Sequence, residues 1–181
     1  MPRLSELEFS GIKIFDREIF KSDIGFFSNL YTSTLVNDQF TQDSISFSAE
    51  KGTVRGLHFQ SPPYSQSKLI NVIQGAIVDF FVDLRPDSSS FLSYGKVILD
   101  QSDPKILYIP RGFAHGFVTL QANTIVSYKL DNEYNSLKEN TIIWNDPVVG
   151  IKWPVMKQYF HSPKDLSGKS LSEIIENNLH I

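Results

Sequence analysis

The segment Ala76-Ile77-Val78-Asp79-Phe80-Phe81-Val82-Asp83-Leu84 decides the reading of this chain. It is too short and too rich in β-branched and aromatic residues for a helix, and it reads as a strand. Side chains alternate across a strand, so Val78, Phe80, Val82 and Leu84 share one face. That face is wholly apolar and is expected to pack between sheets. The other face carries Ile77, Asp79, Phe81 and Asp83. Two readings of it stay open: the wall of a polar pocket inside a barrel, or a solvent-facing side with one exposed aromatic. Similar runs extend on both sides, at Lys68–Gln74, Lys96–Leu99, Ile106–Ile109, Gly116–Leu120 and Thr124–Leu130. Gly, Pro, Ser, Asn and Asp punctuate them, and Gln74-Gly75 reads as a tight turn. Short strands at regular spacing point to an all-β sandwich or barrel. Helical periodicity is scarce. The best helix lies near the C-terminal end, where Ser170 and Glu173 form a capping box ahead of Ile174 and Ile175. With no repeat, linker or low-complexity tract, residues 1–181 read as one domain.

Composition narrows the function. The 181 residues are 41% apolar and 20% charged, which excludes a disordered chain and gives core enough to fold without staples. There is no cysteine, so disulfide scaffolds, thiolate metal sites and cysteine nucleophiles are out. A net charge of −3 does not suit a dedicated nucleic-acid binder. The start of the sequence lacks a charged-then-apolar leader pattern, and no apolar run approaches the roughly 20 residues of a membrane helix. A soluble cytoplasmic protein is the expectation. Glycine-rich nucleotide loops and the Gly-x-Ser-x-Gly elbow are missing, which disfavours Rossmann enzymes, nucleotide triphosphatases and common serine hydrolases.

The candidates for chemistry are few. Arg55 and His58 are three apart, so a regular strand sends them to opposite faces. Gly56 between them permits a bulge that aims both at one cavity. The alternative is a partly buried histidine at a sheet edge. His115 follows the turn Pro110-Arg111-Gly112 and is expected to open a strand at a pocket mouth. Two histidines on separate strands suggest a metal, but the further ligands of metal-binding cupins are missing, so no metal is expected. Lys68 at a strand start is either a solvated rim lysine or a group that neutralises an oxyanion. Tyr128 is either a core tyrosine or a general acid. His180 carries no reading of its own.

Taken in order, Val54-Arg55-Gly56-Leu57-His58-Phe59-Gln60, Ser67-Lys68-Leu69, Val82-Asp83-Leu84-Arg85, Ile109 to Phe117, Tyr128-Lys129, Trp144-Asn145-Asp146-Pro147 and Gly150 to Pro154 resemble one family closely. It is the dTDP-4-dehydrorhamnose 3,5-epimerase family, and the resemblance covers roughly residues 10 to 166. It implies a cupin-type jelly-roll barrel, here with short helices at the C-terminal end. It also implies a homodimer, no cofactor and a nucleotide-linked 4-keto-6-deoxyhexose, dTDP-linked, as substrate. The ketone acidifies the protons on carbons 3 and 5; a base removes one, and an acid returns a proton to the other face of the enolate.

By the same resemblance His58 is the base and Asp165, in Ser162-Pro163-Lys164-Asp165, orients it. Tyr128 is the acid, and Lys68 stabilises the 4-oxygen. Arg55 suits the diphosphate, with its forked guanidinium. His115 and Asp83 support the pocket, Gln42 and Ser46 contact nucleotide or phosphate, and Tyr134 lines the base pocket. The family's Asp-x-Arg-Gly-x-Phe-x-Glu stretch, which crosses to the partner's site, here reads Asp23-Ile24-Gly25-Phe26-Phe27-Ser28-Asn29. Ile24 and Asn29 replace the arginine and the glutamate, while the turn glycine and both Phe26 and Phe27 remain. The competing readings are a single-carbon epimerase of another deoxysugar and a non-catalytic sugar-nucleotide-binding jelly roll. A ketoisomerase on the same fold is disfavoured by the lack of adjacent histidines.

Overall fold

The computed structural model describes residues 4–6, 9 and 11–177, so His180 lies outside the described residues. In chain order the strands are β1 (Leu4–Glu6), β2 (Lys13–Asp16), β3 (Phe20–Ser22), β4 (Gly25–Phe27), β5 (Gln42–Ser48), β6 (Val54–Gln60) and β7 (Lys68–Gln74). They continue as β8 (Ala76–Asp83), β9 (Tyr94–Asp100), β10 (Lys105–Ile109), β11 (Phe113–Thr119), β12 (Thr124–Leu130) and β13 (Glu139–Thr141). Two short helices follow, α1 (Pro163–Leu166) and α2 (Leu171–Glu176). Among the described residues no helix is long and apolar enough to cross a membrane.

Two antiparallel sheets face each other. The larger runs β1-β2-β10-β7-β12-β5 and the smaller β13-β6-β11-β8-β9, while β3 and β4 form a separate hairpin. The Gln74-Gly75 turn is present, but it joins strands of different sheets and so turns a corner of the barrel. Gly75 has φ +82°, and a Cβ there would meet Thr124 Oγ1 at 2.4 Å, so the corner requires glycine.

Both faces of β8 are buried, which removes the solvent-facing reading. The pocket-wall reading of the mixed face therefore stands, while the apolar face is not the one between the sheets. The mixed face is the one between the sheets: Ile77 and Phe81 pack there with Ile70, Val72 and Leu107. The apolar face, Val78, Phe80, Val82 and Leu84, packs beneath the returning C-terminal segment, against Ile142, Val149, Leu171 and Ile174. A continuous run of buried residues arises because each sheet is covered on both sides. On the far side of the larger sheet, Tyr31, Leu35, Val36 and Phe40 cover Leu69 and Tyr108.

The C-terminal segment is pinned by caps. Ser170 and Glu173 make the expected capping box on α2. Ser162 caps α1, with Pro163 in the first turn. The buried Asp146 carboxylate accepts from the N–H groups of Val148, Val149 and Leu171, and so ties this segment together.

Candidate active site

The site begins with an irregularity in β6. His58 pairs with His115 and Arg55 with Phe117, so two residues of β6 oppose the single Gly116 of β11. This is the bulge that Gly56 permits. Gly56 has φ +111°, and a Cβ would meet Gly116 Cα and the His115 carbonyl oxygen, each at 2.6 Å. The extra residue brings Arg55 and His58 to one cavity of ≈ 270 Å³ between the sheets. Arg55 reaches across to the other sheet, donating to Ser48 Oγ at 3.1 Å and to the Phe47 carbonyl at 2.8 Å.

Behind His58 stands Asp165 of α1. His58 Nε2 lies 2.8 Å from Asp165 Oδ1; the two side chains are 26% and 3% exposed. The contact is short but bent away from a straight hydrogen bond. The same Oδ1 accepts from the Gly56 N–H at 3.0 Å, and Oδ2 accepts from Ser162 Oγ at 2.6 Å. Burial would raise the Asp165 pKa, but the bonds from His58, Ser162 and Gly56 outweigh it and hold the carboxyl well below the usual range. Asp165 is therefore a fixed anion behind the imidazole.

His115 forms a second pair. It does not open its strand at a pocket mouth: it is the third residue of β11 and is buried. The strand begins earlier because Phe113 already packs between the sheets. His115 Nε2 is 2.8 Å from Asp79 Oδ2, with the two side chains 6% and 0% exposed. Asp79 Oδ1 is buried without a hydrogen-bond partner among the described residues. Burial pushes Asp79 up and His115 down, so both are drawn toward uncharged forms.

The facing sheet supplies the other groups. Lys68 opens β7 but is buried, not a solvated rim residue. Burial lowers its pKa to about 8, against the opposing pull of Asp79 and Glu139. Tyr128 of β12 shares a 2.9 Å hydrogen bond with Ser46 of β5. Burial raises the phenol well above its usual value, so it stays protonated and able to donate. Gln42 Oε1 accepts from the Tyr134 N–H at 2.9 Å and sets that ring at the rim. The cavity thus brings together Arg55, His58, Lys68, His115 and Tyr128, with Gln42, Ser46 and Tyr134 at its edge.

Two expected residues are elsewhere. Asp83 is not in the cavity. It sits at the strand end and accepts from Arg85, Ser88 and Ser90, which bring its pKa to about 2 against the effect of burial. A turn, Arg85-Pro86-Asp87-Ser88, follows it and captures the carboxylate. Asp79, earlier on the same strand face, is instead the carboxylate that meets a cavity histidine, and parity did not separate the two. Phe26 lies on the exposed β3–β4 hairpin and does not line this chain's own cavity. Glu139 was missed. It lines the cavity, accepts from Tyr134 Oη at 2.6 Å and pairs with Lys164 of α1.

A histidine on one sheet and a tyrosine on the other, facing one cavity with a buried lysine on its wall, are the equipment of a jelly-roll isomerase. The comparisons with known proteins agree. The profile of the dTDP-4-dehydrorhamnose 3,5-epimerase family matches residues 6–173. A Sinorhizobium fredii protein named dTDP-4-dehydrorhamnose 3,5-epimerase is 38% identical over 173 residues, covering 93% of this chain and 89% of that one. A Bacillus anthracis dTDP-4-dehydrorhamnose 3,5-epimerase structure with TDP and PPi bound is 41% identical with a TM-score of 0.90, covering 94% of this chain and 100% of that one. The Legionella pneumophila dTDP-6-deoxy-D-glucose-3,5-epimerase, in complex with dTDP-4-keto-L-rhamnose, is 34% identical with a TM-score of 0.93 and covers 99% and 97%. The chain belongs to the dTDP-4-dehydrorhamnose 3,5-epimerase family.

Proposed function

We propose that this enzyme inverts carbons 3 and 5 of dTDP-4-keto-6-deoxyglucose, with no cofactor, to give dTDP-4-dehydrorhamnose. The observation that carries this reading is the placement of His58 and Tyr128 on opposite sheets of one cavity, with Lys68 on its wall. Inversion requires removal of a proton from one face of the ring and return of a proton to the other. His58, backed by the Asp165 anion, takes the proton from carbon 3 or 5. The electron pair moves into an enolate whose 4-oxygen is met by the Lys68 ammonium. Tyr128 then donates its proton to the carbon from the opposite side, and exchange with solvent resets both groups. His115 and Asp79 lie beside Lys68 as a dry, proton-sharing floor.

A cavity of ≈ 270 Å³ falls just under the ~300–1,000 Å³ usual for small-molecule sites. The hexose occupies it, and the diphosphate and base lie along the rim by Arg55, Gln42, Ser46 and Tyr134. The working form is a homodimer in the cytoplasm. The β3–β4 hairpin supports the dimer: Phe20, Ile24, Phe26 and Phe27 are exposed on it, as a surface meant for a partner would be.

The test is turnover of dTDP-4-keto-6-deoxyglucose in heavy water, with NMR and mass spectrometry of the product. Deuterium at carbons 3 and 5 with both centres inverted is expected. A single deuteron would make this a one-carbon epimerase of another deoxysugar pathway. None would leave a jelly roll that binds a sugar nucleotide without acting on it.

A further inference from the structure

Among the described residues, none forms an ion pair with Lys68. Among the described residues its ammonium has one hydrogen-bond acceptor, the His58 carbonyl oxygen at 3.3 Å. A four-carbon stem with so weak a tether takes its direction from the backbone that carries it. The residue just before it, Ser67, is 1% exposed and tied on three sides. Its N–H donates to Asp131 Oδ1 at 2.6 Å. Its hydroxyl donates to Asp38 Oδ2, an oxygen that also accepts from Tyr108 Oη at 2.6 Å. Its carbonyl faces the Asp131 N–H at 3.4 Å. Asp131 follows β12 and is steadied by Arg111 Nε at 2.8 Å, and Tyr108 lies on β10. The start of β7 is thereby fastened to both neighbouring strands and to the segment covering the sheet.

Strand formation does not call for this knot. Alanine would fill the place of Ser67 without burying a hydroxyl against a carboxylate, an arrangement that costs free energy unless every group is paired. We infer that Ser67, held by Asp38 and Asp131, is a positioning residue that aims Lys68 at the oxygen on which negative charge develops. This rests on the proposed role of Lys68 and adds to it the groups that make a weakly tethered lysine precise. The substrate oxygen is uncharged in the bound ketone and gains negative charge on the way to the enolate, so a loosened Lys68 costs turnover and leaves substrate binding nearly intact.

The test is a mutant cycle read by steady-state kinetics and deuterium uptake, using Ser67→Ala, Lys68→Met and the double variant. Ser67→Ala is expected to lower kcat about tenfold with KM within about twofold. Lys68→Met is expected to lose about 10²–10³-fold. The double variant should match Lys68→Met within about twofold, because an absent lysine cannot be misaimed. A lowered Tm with unchanged kcat in Ser67→Ala overturns the inference, and so does a tenfold loss that multiplies with that of Lys68→Met. If Lys68→Met keeps full kcat, the role of Lys68 falls and the inference with it; loss there with none in Ser67→Ala removes the inference alone. Should Ser67→Ala not fold, Asp38→Asn, which keeps an oxygen acceptor, enters the same cycle and is expected to cost about threefold in kcat.

Discussion

Two histidines line the cavity as direct cross-strand neighbours on β6 and β11, each with an aspartate behind it at 2.8 Å. Their surroundings differ. Asp165 accepts from a hydroxyl and a backbone N–H besides facing His58, and is held firmly ionised. Asp79 sits deeper, with one oxygen unpartnered, and is pushed toward its neutral form. His58 is a quarter exposed to the cavity, whereas His115 is sealed. The same two residue types thus leave a firmly ionised carboxylate where the protein solvates it, and a pair drawn toward uncharged forms where it does not. Distance between the partners says little about role; what surrounds the carboxylate decides it.

Three experiments would break or sharpen this contrast. The largest effect is expected from His58→Ala, which should slow deuterium entry at carbons 3 and 5 by about 10²–10⁴-fold, the usual worth of a positioned base. His115→Ala should instead act mainly on stability, lowering the Tm by leaving Asp79 buried without its partner. Equal losses of exchange in both variants at unchanged stability would erase the distinction. Tyr128→Phe comes next. Removing the acid should leave exchange measurable while inverted product falls about 10²-fold, as judged by NMR of the product sugar. Full inversion in that variant would send the acid role elsewhere.

The smallest and most diagnostic effect is a pH shift. With Lys68 acting as an ammonium of pKa about 8, kcat/KM should fall as pH rises through about 8. The Asp79 charge raises the Lys68 pKa, so Asp79→Asn should move that alkaline limb to lower pH. It should also cost about 1–3 kcal/mol of stability, as loss of a partner in a buried pair does. An unmoved limb would show that the second pair does not act on Lys68.

The sequence was most legible where apolar residues run continuously between turn signals. Lys68–Gln74 and Thr124–Leu130 have the bounds their composition predicts. Strand β5 is different. Its polar residues Gln42, Ser44 and Ser46 point to the cavity, while Ile45 and Phe47 stand exposed on the outer face. That inverts the rule that apolar residues mark the core, so alternation alone reads β5 the wrong way round. The misreading of the apolar face of β8 has a related cause. That face is covered by the returning C-terminal segment, which local alternation does not reveal, and the barrel interior admits Asp79 to complete its pair with His115. Gly56 between Arg55 and His58 was a readable sign of the bulge, because two side chains of opposite parity share a cavity only if the strand slips by one. The knot at Ser67 was beyond local reading, since its partners come from three distant segments.

Asp165 reaches the Gly56 N–H across 109 residues of chain. His58 is synthesised long before this carboxylate emerges. The segment that carries Asp165 also covers the apolar face of β8. One folding-back therefore seals the smaller sheet and seats the anion behind His58, and a chain clipped ahead of that segment would lose its core cover and the pair together.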